Sequence, residues 1–311
     1  MMITYKELSS LTQDLGFNAR ALYMASNQTK KHYRKTKIPK SNGEERELFV
    51  PDAFLKLIQR RIVDCLLRGE EVSPYATAYT YGGSTVKNAR PHIGQPVILK
   101  LDIQHFFDSI TYPLIKENAF PSSKYSESNR ILLALICSYR GTLPQGAPTS
   151  PYISNVIMRD FDNVVGAWCN ERRIRYTRYC DDMTFSGDFD PGEAIRLVRD
   201  ELKKLGFFLN GKKTTIVHNG QKKIVTGIVI NKKPNVSAAY RKEIRQTVYY
   251  CQKFGIRSHM ERREVRTDAS AFLRKLLGQI NYVLSVDPAN SEFKQYKGWA
   301  ISETKKLKIQ N

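Results

Sequence analysis

The sequence predicts an α+β fold, a strand-bearing body with a basic helical extension, and three observations lead there. Short runs rich in β-branched and aromatic residues, such as "PVILKLDI" at 96–103 and "YTRYCDDMTFSG" at 176–187, read as strands. Helix-patterned stretches with capping signals stand between them. From about residue 235 the texture turns helical, and residues 235–311 hold 15 Lys or Arg against 7 Asp or Glu, a surplus of +8.

Composition narrows the function. The 311 residues are 41% hydrophobic and 26% charged, ordinary for one large or two to three modest soluble domains. A net charge of +20 is not ordinary and points to a polyanionic partner, nucleic acid before membrane. Cys65, Cys137, Cys169, Cys180 and Cys251 form no C-x-x-C pair and no metal-ligand spacing with histidine, which argues against a zinc site or a disulfide framework. The start "MMITYKELSS" lacks the apolar core of a signal peptide, and the longest apolar run, "ILLALIC" at 131–137, is too short to span a bilayer. The expectation is a soluble, cytoplasmic protein with reduced thiols and no membrane partner.

Taken in order, the elements begin with residues 29–40, "TKKHYRKTKIPK", where six of twelve positions are Lys or Arg, followed by "SNG" and "ERELFVP". An Asn42-Gly43 turn between two strand-like arms predicts a basic hairpin. Apolar residues at helical spacing from Phe54 to Leu67 predict a helix with Gln59, Arg60 and Arg61 on its polar side. The run "PVILKLDI" fits a buried central strand with Asp102 near its end. A helix around "NRILLALICSY", the loop "GTLPQGAPTSP" at 141–151 and the apolar-patterned "YISNVIMRDFDNVVGAW" follow. The segment "DPGEAIRLVRDELKKLG" carries a full set of helix signals: Asp190 as cap, Pro191 at the first position, Glu193 to complete the capping box and Gly206 at the end. "FFLNGKKTTIVHNG" and "KKIVTGIVINKK" read as further strands, and "YRKEIRQTVYYCQKF" and "ASAFLRKLLGQINYVLSV" as helices of the extension.

Asp181 and Asp182 stand side by side, where each disfavours the other's ionisation. Neighbours on a strand face opposite sides, so the pair can share a ligand only at a bend, and "CDDM" reads as that bend. If the strand ending at Asp102 lies beside this hairpin, three carboxylates form an oxygen-rich site suited to Mg²⁺. Two such ions promote in-line phosphoryl transfer, and the positive charge would hold template and primer. That combination describes a nucleotide polymerase.

The segments "LKLDIQHFFDSI", "GTLPQGAPTSP", "RYCDD", "GFFLNGKKTTI" and "VTGIVI", in that order, resemble the palm motifs of reverse transcriptases. "NARPH" at 88–92 resembles the NAxxH segment, and "VTG" at 225–227 the VTG segment, that mark the bacterial retron reverse transcriptases. The resemblance covers nearly the whole chain. It implies a right-hand polymerase with N-terminal helices and fingers over 1–95, fingers again over about 111–150, palm over 96–110 and 151–234, and a helical basic thumb over 235–311.

The resemblance also implies residue roles. Asp102, Asp181 and Asp182 would bind two Mg²⁺ ions, with the backbone carbonyl of Ile103 as a further ligand. Phe107 falls where the family keeps an aromatic that stacks under the deoxyribose and excludes a 2′-hydroxyl; an ordinary core phenylalanine is the alternative. Gln145 and Gly146 match the loop that packs against the incoming dNTP. Lys213, with Lys212 beside it as a rival, matches the lysine that protonates the departing pyrophosphate. Arg46 and Lys40 match basic residues that grip the triphosphate. Cys180 departs from the alanine that many relatives carry before the acid pair. In the thumb, Arg241, Lys242 and Arg245, together with Arg262, Arg263 and Arg266, are expected to bind RNA.

With the sequence running out at Asn311, no ribonuclease H, maturase or endonuclease module is expected. The implied activity is the copying of part of a cognate non-coding RNA, of msr-msd type, into single-stranded DNA joined to that RNA, known as msDNA. The implied setting is anti-phage defence beside an effector protein encoded nearby. Another bacterial reverse transcriptase, intron-like or diversity-generating, is one competing reading. A catalytically silent RNA-binding scaffold is the other, and the intact acids speak against it.

Overall fold

The structure, a computed structural model, describes residues 4–39, 43 and 45–309, with side chains to 307. Two compact units emerge, Met1–Gly83 with Leu99–Ile216, and Ser84–Ile98 with Val217–Asn311. The expected boundary between palm and thumb, at 234/235, therefore falls inside the second unit.

In the first unit, β1 (Tyr33–Pro39) and β2 (Glu45–Pro51) form the expected antiparallel hairpin, with Tyr33 opposite Pro51 and Pro39 opposite Glu45. Lys40 and Asn42 lie outside the described residues. The helix expected from Phe54 onward is Ala53–Ile62, capped by the Asp52 carboxylate, which accepts the Leu55 N–H; it then widens into a π-helical turn, Val63–Leu67.

A four-stranded sheet follows from β3 (Val97–Asp102), β4 (Arg175–Tyr179), β5 (Asp182–Gly187) and β6 (Thr215–Val217), in the order β4-β5-β3-β6. The inner place of β3 suits its continuous apolar run. Leu99 and Leu101 share one core with Phe185 of β5, with Phe161 and Val165 of the helix Arg159–Glu171, and with Val198 and Leu202 of the helix Pro191–Lys204. Asp190 caps the last of these by accepting the Gly192 N–H, and Gly206 beyond its end has a left-handed φ of 76°.

Arg178 lies one residue from the end of β4 and is entirely buried, as is its partner Asp162. Its Nε and Nη2 grip the Asp162 carboxylate at 2.8 and 2.6 Å, Tyr176 donates its hydroxyl to the same carboxylate at 2.8 Å, and Nη2 also reaches Asn155 at 3.2 Å. Its remaining arm, Nη1, donates to the carbonyl of Cys180 at 2.8 Å. The network thus holds the bend between β4 and β5 from beneath.

In the second unit, "KKIVTGIVINKK" is not one strand but a small hairpin, β7 (Ile224–Val225) and β8 (Ile228–Val229). Thr226 and Gly227 between them have φ values of 44° and 82°, and two successive left-handed residues make the type I′ turn that reverses a strand. Segment 84–98 packs here. The Thr226 hydroxyl donates to the Thr85 carbonyl at 3.0 Å, and Asn88 donates to that hydroxyl at 3.4 Å, so "NARPH" and "VTG" meet. The helices Ala238–Phe254, Ile256–Arg262, Ala269–Val286 and Ser291–Ile309 complete the unit, with Ile244, Val248, Leu276, Ile280 and Val283 in its core. Among the described residues no helix is long and apolar enough to cross a membrane.

Removing one member of a buried ion pair leaves the other charged and unpartnered. Asp162→Ala should therefore cost about 3–5 kcal/mol of stability, read as a lowered denaturant midpoint at unchanged slope.

Candidate active site

The backbone brings the three acids together at one end of the sheet. The Ile103 N–H donates to the Asp181 carbonyl at 3.1 Å, which ties the end of β3 to the β4–β5 bend. On the other side, the Asn210 N–H donates to the Asp102 carbonyl at 2.8 Å and the Gln104 N–H to the Phe208 carbonyl at 2.8 Å. Tyr179 pairs with Asp182, so the bend is Cys180-Asp181 alone, tighter than the four residues "CDDM" suggest. Asp182 already belongs to β5. Cys180 takes a left-handed φ of 61°, an unfavourable place for a side chain with a Cβ, and is held there by Arg178 at its carbonyl and by the Tyr79 hydroxyl, which donates to its Sγ at 3.7 Å.

The electrostatics of the three carboxylates differ. Asp102 is buried, accepting from Lys213 Nζ at 2.7 Å and from Asn210 Nδ2 at 3.1 Å. The bond to Asp102, and behind it the charges of Asp102, Asp181 and Asp182, hold the Lys213 ammonium above its ordinary pKa. Of the adjacent lysines it is Lys213 that makes this bond. Asp182 keeps solvent access at its tip, yet burial, then the charges of Asp181 and Asp102, push its carboxyl up to about 6, against the pull of Lys100 and Lys213. Among the described residues no three acidic, His or Cys side chains stand close enough to cage an ion as they are. The donor set is nonetheless all oxygen and short of positive charge at Asp182, which is the chemistry a hard divalent cation relieves.

Beside the acids lies a cleft of about 480 Å³ lined by Arg46, Phe107, Gln145 and Gly146, and also by Arg60 and Tyr79. Four of the five residues expected to bind nucleotide thus share one wall system, with Lys40 outside the described residues. Phe107 is half-buried, packed edge-on against Phe106 with ring centroids 5.4 Å apart, so it is neither a fully enclosed core residue nor a loose surface one. Gly146 is required where it stands. Its φ is 116°, and a Cβ there would come within 2.9 Å of the Phe49 carbonyl, while the Phe49 N–H donates to the Gln145 carbonyl at 2.8 Å. The loop is thereby docked on β2. Tyr79 joins cleft to bend, since it lines the one and donates to Cys180 in the other.

Comparison with known proteins identifies the family. Residues 38–245 match the family described as reverse transcriptase (RNA-dependent DNA polymerase). The chain is 30% identical over 294 residues to the retron Ec83 reverse transcriptase of Escherichia coli, covering 88% of this chain and 90% of that one. This chain belongs to the retron reverse transcriptases. The retron Ec86 reverse transcriptase of the same species is also 30% identical, over 82% of this chain and 77% of its own, and the retron Mx65 reverse transcriptase of Myxococcus xanthus over 84% and 63%. As a member of this family the protein is an RNA-directed DNA polymerase with the expected α+β polymerase fold.

The basic residues of this reverse transcriptase's second unit are not equivalent. Arg245 departs from the expectation of a free RNA ligand: its Nε and Nη2 are committed to Glu292 at 2.6 and 2.7 Å, and its guanidinium lies 5.8 Å from the Phe293 ring centroid. It braces one helix to another. Arg241 is half-buried, its Nε enclosed with no hydrogen-bond partner among the described residues. Lys242, Arg262, Arg263 and Arg266 are exposed.

Three residues of the first unit escaped the sequence reading. Arg178 carried a signal, because it stands two residues from Tyr176 on β4 and so shares its buried face. Arg60 and Tyr79 reach the cleft only through tertiary packing.

The raised carboxyl at Asp182 makes a thermodynamic prediction. Its folded-state pKa of about 6 lies above the model-peptide 3.8, so the native state binds the proton more tightly and its stability falls as pH rises through that window. In buffer free of divalent cations, Asp182→Asn should melt near the parent at pH ~4.5 and above it at pH ~7.5. A Tm difference that does not grow with pH would contradict the assignment.

Proposed function

We propose that this reverse transcriptase copies part of a cognate structured RNA into single-stranded DNA joined to that RNA, by nucleotidyl transfer at Asp102, Asp181 and Asp182. The observation that carries the reading is the meeting of these three acids at a sheet end beside the cleft of Phe107, Gln145, Gly146 and Arg46. In domain terms we read fingers and palm in the first unit and the thumb in the second, which begins its C-terminal piece at Val217 rather than 235.

The three carboxylates would hold two Mg²⁺ ions, with the Ile103 carbonyl as a backbone ligand. Bound there, Mg²⁺ makes the attacking hydroxyl more acidic and offsets charge on the departing pyrophosphate. Lys213, whose ammonium is held above its ordinary pKa by Asp102, would serve as the proton donor to the leaving oxygen. Arg46, and Arg60 in the same cleft, supply guanidinium donors to the triphosphate of the dNTP. Phe107 presents its ring to the sugar, and Gln145 with Gly146 closes the opposite side. Arg241, Lys242, Arg262, Arg263 and Arg266 contribute to the RNA backbone site, whose affinity falls steeply with salt. The likeness to retron enzymes supports reading the protein as cytoplasmic, working beside an effector protein encoded nearby in anti-phage defence.

Sugar selection is testable at one residue. Phe107→Val should admit ribonucleotides while dNTP use falls only modestly, measured as the ratio of kcat/KM values. A folded variant that still rejects ribonucleotides would return Phe107 to the core.

The product is testable at the level of the purified protein. Expressed with its native locus, it should carry a discrete DNA whose 5′ end is freed only by debranching after ribonuclease treatment, and the Asp181→Asn protein should carry RNA without DNA. Activity on artificial primers with no DNA bound in the cell would favour an intron-like or diversity-generating enzyme.

A further inference from the structure

The helix Ala238–Phe254 ends in a group of exposed aromatics that none of the roles above uses. Tyr249 is 52% exposed, Tyr250 38% and Phe254 51%. Soluble surfaces do not ordinarily place three large rings side by side in water. The rings are ordered. Tyr250 stacks on Phe254 at 6.1 Å and 22° and also lies nearly parallel to His259 at 6.1 Å and 11°. His259 is buried and backed by Phe272 at 6.0 Å. Burial, then the charge of Arg263, lowers the His259 pKa, so a neutral flat ring braces Tyr250 from within.

Charge is interleaved with the rings. Lys253 lies 5.6 Å from the Tyr249 centroid and 5.3 Å from that of Phe254, and its ammonium donates to the Tyr249 hydroxyl at 3.2 Å. Lys242, Gln246, Tyr249 and Lys253 are all exposed and, at spacings of four, three and four residues, run along one face of the helix. From 238 to 263 there are seven Lys or Arg and two Glu. The centre of a protein-binding patch is depleted in lysine, whereas stacking rings set among cations match what an unpaired nucleic acid presents: flat bases on a phosphate chain.

We propose that Tyr249 and Phe254, with Tyr250 bracing them between Phe254 and His259, form a stacking platform for unpaired bases of the RNA partner, with Lys253 and Lys242 on the flanking phosphates. The occupant is RNA because this family's template is RNA and because single-stranded RNA is read largely by stacking on aromatic side chains. The proposal deepens the reading of the second unit as an RNA-binding element and rests on it.

The test uses the full-length protein and a short unstructured RNA carrying 2-aminopurine. Tyr249→Leu and Phe254→Leu keep apolar bulk on the helix but remove the π face, and circular dichroism checks their fold. Each should weaken binding about five-fold or more and lose quenching of the probe, with the slope of affinity against salt unchanged. Lys253→Gln should instead reduce that slope by about one. Extension of a DNA primer annealed to an RNA template, run beside it, separates failure of the polymerase reading, in which the parent protein makes no DNA, from failure of this one. Two folded leucine variants that bind the RNA like the parent overturn the platform and leave the stripe to a protein partner. Equal losses for single-stranded DNA of the same sequence overturn its assignment to RNA.

Discussion

The geometry of the acid-bearing end of the sheet depends on one buried interaction, the pairing of Arg178 with Asp162. Two charges removed from water are costly to bury, and here the cost is offset because every facing group is used: two guanidinium nitrogens on the carboxylate, a tyrosine hydroxyl on the same carboxylate and an asparagine oxygen alongside. The third guanidinium nitrogen reaches beyond the pair. It fixes the Cys180 carbonyl, and so sets the bend from which Asp181 and Asp182 project. An apolar core of the same volume could be as stable, but it could not point a donor at a strained turn.

That turn explains why the acids can be adjacent in sequence. A two-residue bend lets Asp181 lie at the tip while Asp182 opens the next strand, and the Ile103 N–H draws the tip toward the end of β3. The resulting crowding is legible in the raised Asp182 carboxyl and in the protonated Lys213 that sits on Asp102. The Lys213 ammonium offsets part of that crowded negative charge.

Much of this was legible in the sequence, and the reasons are local. The basic hairpin, the capped helix from Pro191 and the strand ending at Asp102 each carried their own periodicity or turn signals. What escaped the reading depends on register or on distance. The bend shortened because Tyr179 pairs with Asp182, and "KKIVTGIVINKK" folded back because a threonine adopts a conformation usually left to glycine or asparagine. Arg245 looked like a phosphate ligand because nothing in its neighbourhood names Glu292, 47 residues away. Tyr79 and Arg60 belong to the cleft for the same reason.

The second unit is assembled from two pieces of chain, Ser84–Ile98 and everything from Val217 onward. On a ribosome the first piece emerges long before the second. At roughly 5–20 residues per second, the segment with Asn88 and His92 waits on the order of ten seconds for Thr226 and the β7–β8 hairpin that completes its surroundings. During that interval the sheet strand that follows it is already available to the first unit. The order of synthesis therefore lets β3, β4 and β5 come together while the C-terminal unit is still open, an interval in which the side chains of Asn88 and His92, enclosed in the finished molecule, stay within reach of a chaperone.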